Sequence, residues 1–286
     1  MTKKHAILET ISSMRDYIDN VPKKEKIGFV PTMGYLHEGH LSLVRQSVIE
    51  NQKTVVSIFV NPTQFGQDED FNQYPRDVEK DIKLLKALEV DVVFIPGAGE
   101  VYPENYLTFI KVQGLSEIYC GKTRPVHFRG VATIVAKLLN IIKPHFMYMG
   151  EKDFQQVYIL EKMLSDLNFS TKIVRCPIIR DEDGLALSSR NKYLHDDERL
   201  NAVSLYHSLM LAKRLVADGI MEIPIVKMKM TEVIEKNSGN IDYIAFINDK
   251  TFAAEKVITP ETRILLAVKI GKTRLIDNMR LYGYNS

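Results

Sequence analysis

The sequence predicts an α/β protein, a Rossmann-like parallel sheet in the N-terminal domain followed by a smaller α+β domain. Three observations carry that expectation. Short β-branched runs in the first half stop at proline or glycine, and helix-spaced apolar residues separate them. The last third changes texture, with two long helical stretches before its strands. The 286 residues also exceed the roughly 150 typical of one domain.

In order, residues 27–30 form an apolar run halted by Pro31, residues 54–60 end at Asn61-Pro62, and residues 90–95 end at Pro96-Gly97. Each has the length and composition of a buried parallel strand. Between them, 41–51 and 77–88 carry apolar residues at helical spacing (Leu41, Val44, Val48; Val78, Ile82, Leu85). A helix over 131–142, a strand over 145–149, a helix over 154–167 and a strand over 172–174 continue the alternation. Beyond Cys176-Pro177 one helix is expected over 197–217, stopped by Gly219, and a second over 224–236. Two strands follow, over 241–247 and 263–268. The domains are therefore expected at 1–176 and 177–286.

Composition narrows the function. Lys+Arg 38 against Asp+Glu 36 leaves +2, too balanced for a surface that coats nucleic acid. No run approaches the roughly 18 apolar residues of a membrane helix. The N-terminal stretch lacks the apolar core of a secretory signal, so a cytoplasmic protein is expected. Cys120 and Cys176 stand far apart, which argues against a disulfide framework or thiolate zinc site.

The most informative stretch is Pro31-Thr32-Met33-Gly34-Tyr35-Leu36-His37-Glu38-Gly39-His40, which leaves the first strand and opens a helix. Ligands of open α/β sheets bind at the carboxyl ends of strands. A helix N-terminus there offers N–H groups and partial positive charge to phosphate. Gly34 and Gly39 permit close backbone approach. His37 and His40, three residues apart, face the same way and can donate to phosphate oxygens as charge builds. The P-loop and GxGxxG patterns are absent, and histidines three apart do not make HExxH. The plainer alternative is a pair of surface histidines on an ordinary helix.

Other residues stand at comparable positions. Lys152 follows the strand end at Gly150 and can neutralise phosphate, with Asp153 and Gln156 on the first turn of the next helix. Ser188-Ser189-Arg190 combines hydroxyls with a guanidinium, either a mobile anion clamp or a plain hinge. Gln64, just after the second strand, carries an amide that suits the hydroxyls and carboxylate of a small acid. His127 either shapes the site or simply packs.

The run PTMGYLHEGHLSLV resembles the HxGH signature of the pantoate–β-alanine ligase (pantothenate synthetase) family, in the HxGH nucleotidyltransferase-like superfamily. Residues 61–65 are similar to that family's NPxQF, 74–76 to YPR, and 124–131 to RPxHFxGV. Residues 150–156 are similar to GEKDxQQ, 180–191 to RExDGLAxSSRN, and 275–278 to a closing LIDN. The resemblance implies ATP-dependent condensation of (R)-pantoate with β-alanine to pantothenate, AMP and diphosphate, through pantoyl adenylate. It implies catalytic charge stabilisation by His37, His40, Lys152, Ser188, Ser189 and Arg190, with His37 as the family's proton donor. ATP contacts are implied at Met33, Gly34, Tyr35, Leu36, His37, Glu38, Gly39 and His40. They are implied also at Gly150, Glu151, Lys152, Asp153, Ile179, Leu187, Ser188, Ser189 and Arg190. Gln64 and Gln156 are implied to hold pantoate. Mg2+ is expected on the phosphates and a homodimer as the assembly. Asp68, Glu69, Asp70 and Asp81 are equally eligible as protein ligands to the metal. Tyr35 and Leu187 stand where many relatives carry alanine and methionine or lysine. Two other readings remain: a nucleotidyltransferase that passes AMP or CMP to a phosphate acceptor, and a nucleotide-binding module without catalysis.

Overall fold

The computed structural model describes residues 5–67 and 69–282. The chain forms two compact units, one of Met1–Glu151 with Gln155–Cys176, the other of Lys152–Phe154 with Pro177–Ser286.

The first unit runs β1 (Ala6–Leu8), α1 (Ile11–Asp19), β2 (Ile27–Thr32), α2 (Glu38–Glu50), β3 (Lys53–Ile58), α3 (Val78–Ala87) and β4 (Val92–Phe94). The short helices α4 (Ala98–Val101) and α5 (Cys120–Thr123) precede α6 (His127–Ile142), β5 (Phe146–Gly150), α7 (Phe154–Asp166) and β6 (Lys172–Cys176). The strands lie in the order β1-β4-β3-β2-β5-β6, every neighbouring pair parallel. Successive side chains alternate between faces. Phe29, Val55, Phe94 and Met147 pack with α1, α6 and α7, whereas Val30, Val56, Val93 and Tyr148 pack with α2 and α3. Both faces are covered, which is why these strands read as unbroken apolar runs.

Chain order reverses between β2 and β5. The crevice of a doubly wound sheet opens at such a point, beyond the carboxyl ends of the strands. Here those ends are Thr32 and Gly150.

Strand β2 does not stop at Pro31, as the sequence suggested, but continues to Thr32. The Thr32 carbonyl accepts from Phe59 N–H at 3.0 Å, so its polar groups face β3 and those of Pro31 face the β5 side. Pairing with β5 has already ended at Phe29–Met147, so the missing proline N–H leaves no ladder bond unmade.

The second unit contains α8 (Asp196–Ala202), α9 (Ser204–Ala217), α10 (Ile223–Lys236) and an antiparallel sheet β7-β8-β9 (Gly239–Asn248, Thr262–Ile270, Thr273–Arg280). Leu205, Leu209, Val226 and Met230 of the helices share one apolar core with Ile244, Phe246, Ile264 and Leu266 of the sheet. The helix expected over 197–217 is two, divided at Val203, whose N–H bonds to Leu200 O three residues back. A third strand, β9, joins the expected two. Its polar Asp277-Asn278 centre does not look strand-like, yet both side chains are buried.

Among the described residues no helix is long and apolar enough to cross a membrane.

Candidate active site

The loop between β2 and α2 is built around two left-handed residues, Gly34 (φ 82°) and Tyr35 (φ 52°). Glycine takes that conformation freely, while a residue with a Cβ gives up roughly 1–2 kcal/mol. What holds it is Asp81 of α3, only 1 % exposed. Its two carboxylate oxygens accept from Tyr35 N–H at 2.7 Å and Leu36 N–H at 2.8 Å. Burial pushes this carboxyl above its usual range, against the pull of the two donors. Thr32 Oγ1 accepts from Gly34 N–H at 3.2 Å and donates to Ser57 O at 2.7 Å, pinning the start of the loop.

The carboxylates eligible as metal ligands differ in their surroundings. Both oxygens of Asp81 are committed to the loop backbone, and Glu69 is paired with Arg124. Asp68 lies outside the described residues. Among the described residues no group of three or more His, Cys, Asp or Glu side chains is placed to hold a metal ion.

His37 is the N-cap of α2, and its Nδ1 accepts from Gly39 N–H at 3.1 Å. His40 Nδ1 faces His37 N–H at 3.4 Å, and the two ring centroids lie 4.1 Å apart. A ring nitrogen that accepts a backbone N–H carries no proton, so Nε2 is the donor atom of each ring. Two N–H donors thus stand side by side at a helix N-terminus. Glu38 is exposed and paired with Arg45, whose guanidinium holds its carboxyl below the usual range. Met33, Gly34 and Tyr35 also line a cleft of about 220 Å³ with Ile58, Arg76 and Asp81.

Gln64 lies in the 3-10 turn Pro62–Gln64 after β3 and is 7 % exposed. Its Oε1 accepts from Asn61 Nδ2 at 3.1 Å, and its Nε2 meets Met33 Sδ at 2.9 Å, which joins the turn to the signature loop. Helix α6 supports the turn from behind. His127 Nδ1 donates to Gln64 O at 3.1 Å, which assigns that histidine a backbone-holding role. At Gly130 an added Cβ would stand 2.4 Å from Thr63 O and 2.5 Å from Gln64 N, so only glycine lets the helix approach this closely.

Strand β5 ends at Gly150, and Glu151–Asp153 form a 3-10 turn before α7, so Asp153 precedes the helix while Gln156 sits on its first turn. Gln155 is structural. Its amide accepts from Cys120 N–H at 3.1 Å and donates to Leu115 O and Ile118 O at 2.9 and 2.8 Å. Cys120 and Cys176 are both buried and not joined in a disulfide.

Lys152 belongs to the second unit, where Asn278 Nδ2 donates to its carbonyl at 3.0 Å. Beside it Phe154 stacks on Phe252 with centroids 6.1 Å apart, under the Arg263 guanidinium at 4.1 Å. Residues 179–187 form a tight hairpin, with Leu187 N–H bonded to Ile179 O at 3.0 Å. Arg180 anchors it by a bidentate pair with Asp277 at 2.6 and 2.9 Å. From that hairpin Ser188 caps the 3-10 turn Ser189–Tyr193, its Oγ accepting from Arg190 N–H at 3.3 Å. The second unit thus carries Lys152, Asp153, Ile179, Leu187, Ser188, Ser189 and Arg190, and the first carries the rest of the expected site. Asp81, Asn61, Arg180 and Asp277 were not singled out as supports. Asn61, Arg180 and Asp277 lie inside quoted motifs, which was the available signal; Asp81 lies inside none.

The family model for pantoate–β-alanine ligase matches residues 6–280. A pantothenate synthetase of Acetivibrio thermocellus is 51% identical over 276 residues, covering 96% of this chain and 98% of that protein. One from Thermosipho africanus is 48% identical, covering 96% of this chain and 99% of the relative. The crystal structure of pantothenate synthetase from Thermus thermophilus superposes with a TM-score of 0.92 at 39% identity, over 97% of this chain and 100% of that one. A pantoate–β-alanine ligase from Francisella tularensis, complexed with β-γ ATP and β-alanine, gives 0.83 at 38% identity, over 99% and 100%. With the family model running almost end to end, this chain belongs to the pantoate–β-alanine ligase family.

Proposed function

We propose that the chain joins (R)-pantoate to β-alanine at the expense of ATP, through an enzyme-held pantoyl adenylate. A free carboxylate is a poor acyl donor because oxide is a poor leaving group. Activation therefore precedes amide formation. One pantoate carboxylate oxygen attacks the α-phosphorus of ATP, the Pα–O bond to the β-phosphate breaks, and diphosphate departs with the electron pair. The amine of β-alanine then attacks the acyl carbon. The C–O bond to phosphate breaks, AMP leaves with that oxygen, and the amine nitrogen sheds a proton.

The observation that carries this reading is the histidine pair at the start of α2, with both Nδ1 atoms turned to backbone N–H groups. Two Nε2–H donors suit an anion whose charge grows in the transition state. Stabilising phosphate charge is their larger task, and a proton donated from His37 is secondary to it. Lys152, Ser188, Ser189 and Arg190 are assigned to the phosphates and departing diphosphate. Met33 to His40, Gly150 to Asp153, Ile179 and Leu187 are assigned to the nucleotide, with Glu38 contributing backbone rather than its Arg45-paired carboxylate. Gln64 and Gln156 are assigned to pantoate. Magnesium is proposed to arrive with the triphosphate, whose oxygens suit a hard cation that keeps several waters. A homodimer in the cytoplasm is the proposed setting.

Pyrophosphate release measured with ATP and pantoate, without β-alanine, tests the reading. We expect pantoate-dependent release, with His37→Ala and His40→Ala each slower by roughly 10²–10³-fold, the usual loss for a charge-stabilising donor. Near-normal rates in both variants would remove the histidines from the mechanism. Release indifferent to pantoate favours a nucleotidyltransferase, and ATP binding without turnover favours a binding module.

A further inference from the structure

The Gln64 amide has a fixed polarity, and the reason lies one residue further back. Asn61, 1 % exposed, is saturated. Its Nδ2 donates to Gly130 O and Gln64 Oε1, both at 3.1 Å. Its Oδ1 accepts from Thr63 N–H at 3.3 Å, Thr63 Oγ1 at 2.9 Å and Tyr102 OH at 3.0 Å. Turning this amide over would set a carbonyl against Gly130 O and an NH2 group against Thr63 N–H, so its orientation is forced. Gln64 must then accept from Asn61 with Oε1 and turn Nε2 the other way. One of its N–H groups meets the weakly accepting Met33 sulfur, and the other has no partner among the described residues.

The far end of this chain is Tyr102, in none of the sequence motifs. Its hydroxyl lies 3.0 Å from Asn61 Oδ1 and 3.2 Å from Thr63 Oγ1. Its ring is packed on Phe59 at 6.3 Å and Tyr106 at 5.1 Å between centroids, with the Lys137 ammonium 5.6 Å from its face. Burial raises the phenol to about 12, so the group stays a donor throughout the neutral range.

We propose that Tyr102 is a positioning residue for the acid substrate, acting through Asn61 to hold Gln64 with Nε2 outward as a hydrogen-bond donor. The recognised ligand atom is therefore an acceptor, a carboxylate or hydroxyl oxygen, and an ammonium or amide N–H turned to that place is rejected. This rests on the assignment of Gln64 to pantoate. Tyr102→Phe keeps the ring and its packing and deletes only the hydroxyl.

The test is a double-mutant cycle of Tyr102→Phe and Gln64→Ala, with steady-state constants for pantoate and ATP separately. We expect Tyr102→Phe to raise the pantoate KM by about 3- to 10-fold, the weight of one neutral hydrogen bond. Its kcat and ATP KM should stay within about twofold, and the pantoate effect should vanish in the Gln64→Ala background. An unchanged pantoate KM overturns the proposal, as does an equal penalty with and without Gln64 or a matching rise in the ATP KM. Thr63→Val removes the other hydroxyl that feeds Asn61 and should reproduce the pattern if Tyr102→Phe folds poorly; an unchanged pantoate KM in Thr63→Val overturns the proposal too. If Gln64→Ala itself leaves the pantoate KM alone, the assignment of Gln64 fails, whatever Tyr102 does.

Discussion

The two units hold the residues assigned to the site by different means. In the first, loops at the ends of parallel strands are fixed by buried side chains that bond to backbone: Asp81 to Tyr35 and Leu36, Asn61 to Thr63 and Gly130, His127 to Gln64. In the second, the segment leading to Ser188 and Arg190 is fixed by ion pairs, Arg180 with Asp277 and Arg199 with Asp181 and Asp183. The contrast follows from architecture. A doubly covered sheet excludes water around its strand ends, so hydrogen bonds are strong there. In the second unit charge takes that role: the Arg180–Asp277 pair is buried, while the Arg199 bridges stand where salt and pH can reach them.

The comparison can be broken in four ways. Arg180→Ala should have the largest effect, about 3–5 kcal/mol of stability, because it strands the buried Asp277 carboxylate. Denaturant unfolding measures it, and a loss under about 1 kcal/mol would place that pair with the weak surface bridges. Asp81→Ala should cost about 2–3 kcal/mol by leaving the Tyr35 and Leu36 N–H groups unpaired. It should slow adenylate formation as well. Asp81→Asn, with one oxygen left to accept, should fall between the variant and the parent.

The third way is pH. Burial raises Tyr17 and Tyr102 to about 12 and Cys176 to about 11, and all three lie in the first unit. Each folded value exceeds its unfolded one, so their stabilisation is intact below about pH 9 and is lost as pH rises through about 11 to 12. Hydrogen exchange should therefore report the first unit loosening before the second in alkali, and tyrosinate absorbance should lag that of the unfolded chain. The Arg199 guanidinium holds the Asp183 carboxyl below its usual range, so that contribution is present above about pH 4 and lost on acidification below it. The smallest effect belongs to Arg199→Ala. Its partners are two-fifths exposed, and about 1 kcal/mol or less is expected, vanishing at high salt.

Much of the first unit was legible because its strands are covered on both faces, which writes them as apolar runs such as 54–60 and 90–95. The residues assigned to the site stand out in the sequence because glycine, histidine and lysine there do what an ordinary loop does not require. The supports were harder to read. Asp81 sits on α3, 46 residues beyond Tyr35 in sequence, and nothing local in VEKDIKLL distinguishes it from a solvated helix aspartate. Asp277 and Asn278 are polar neighbours that interrupt any apolar alternation. They form the centre of strand β9, where Arg180 and Arg263 satisfy them. Long-range pairing of this kind leaves no period in the sequence. The break at Val203 is a single three-residue hydrogen bond and leaves no mark either.

The central claim is that pantoate is activated on its own carboxylate oxygen before β-alanine reacts. Pantoate labelled with heavy oxygen in that carboxylate, turned over with ATP and β-alanine and analysed by mass spectrometry, tests it directly. The account predicts one labelled oxygen in each AMP and none in the diphosphate. Label appearing in the diphosphate, or AMP free of label, would contradict it.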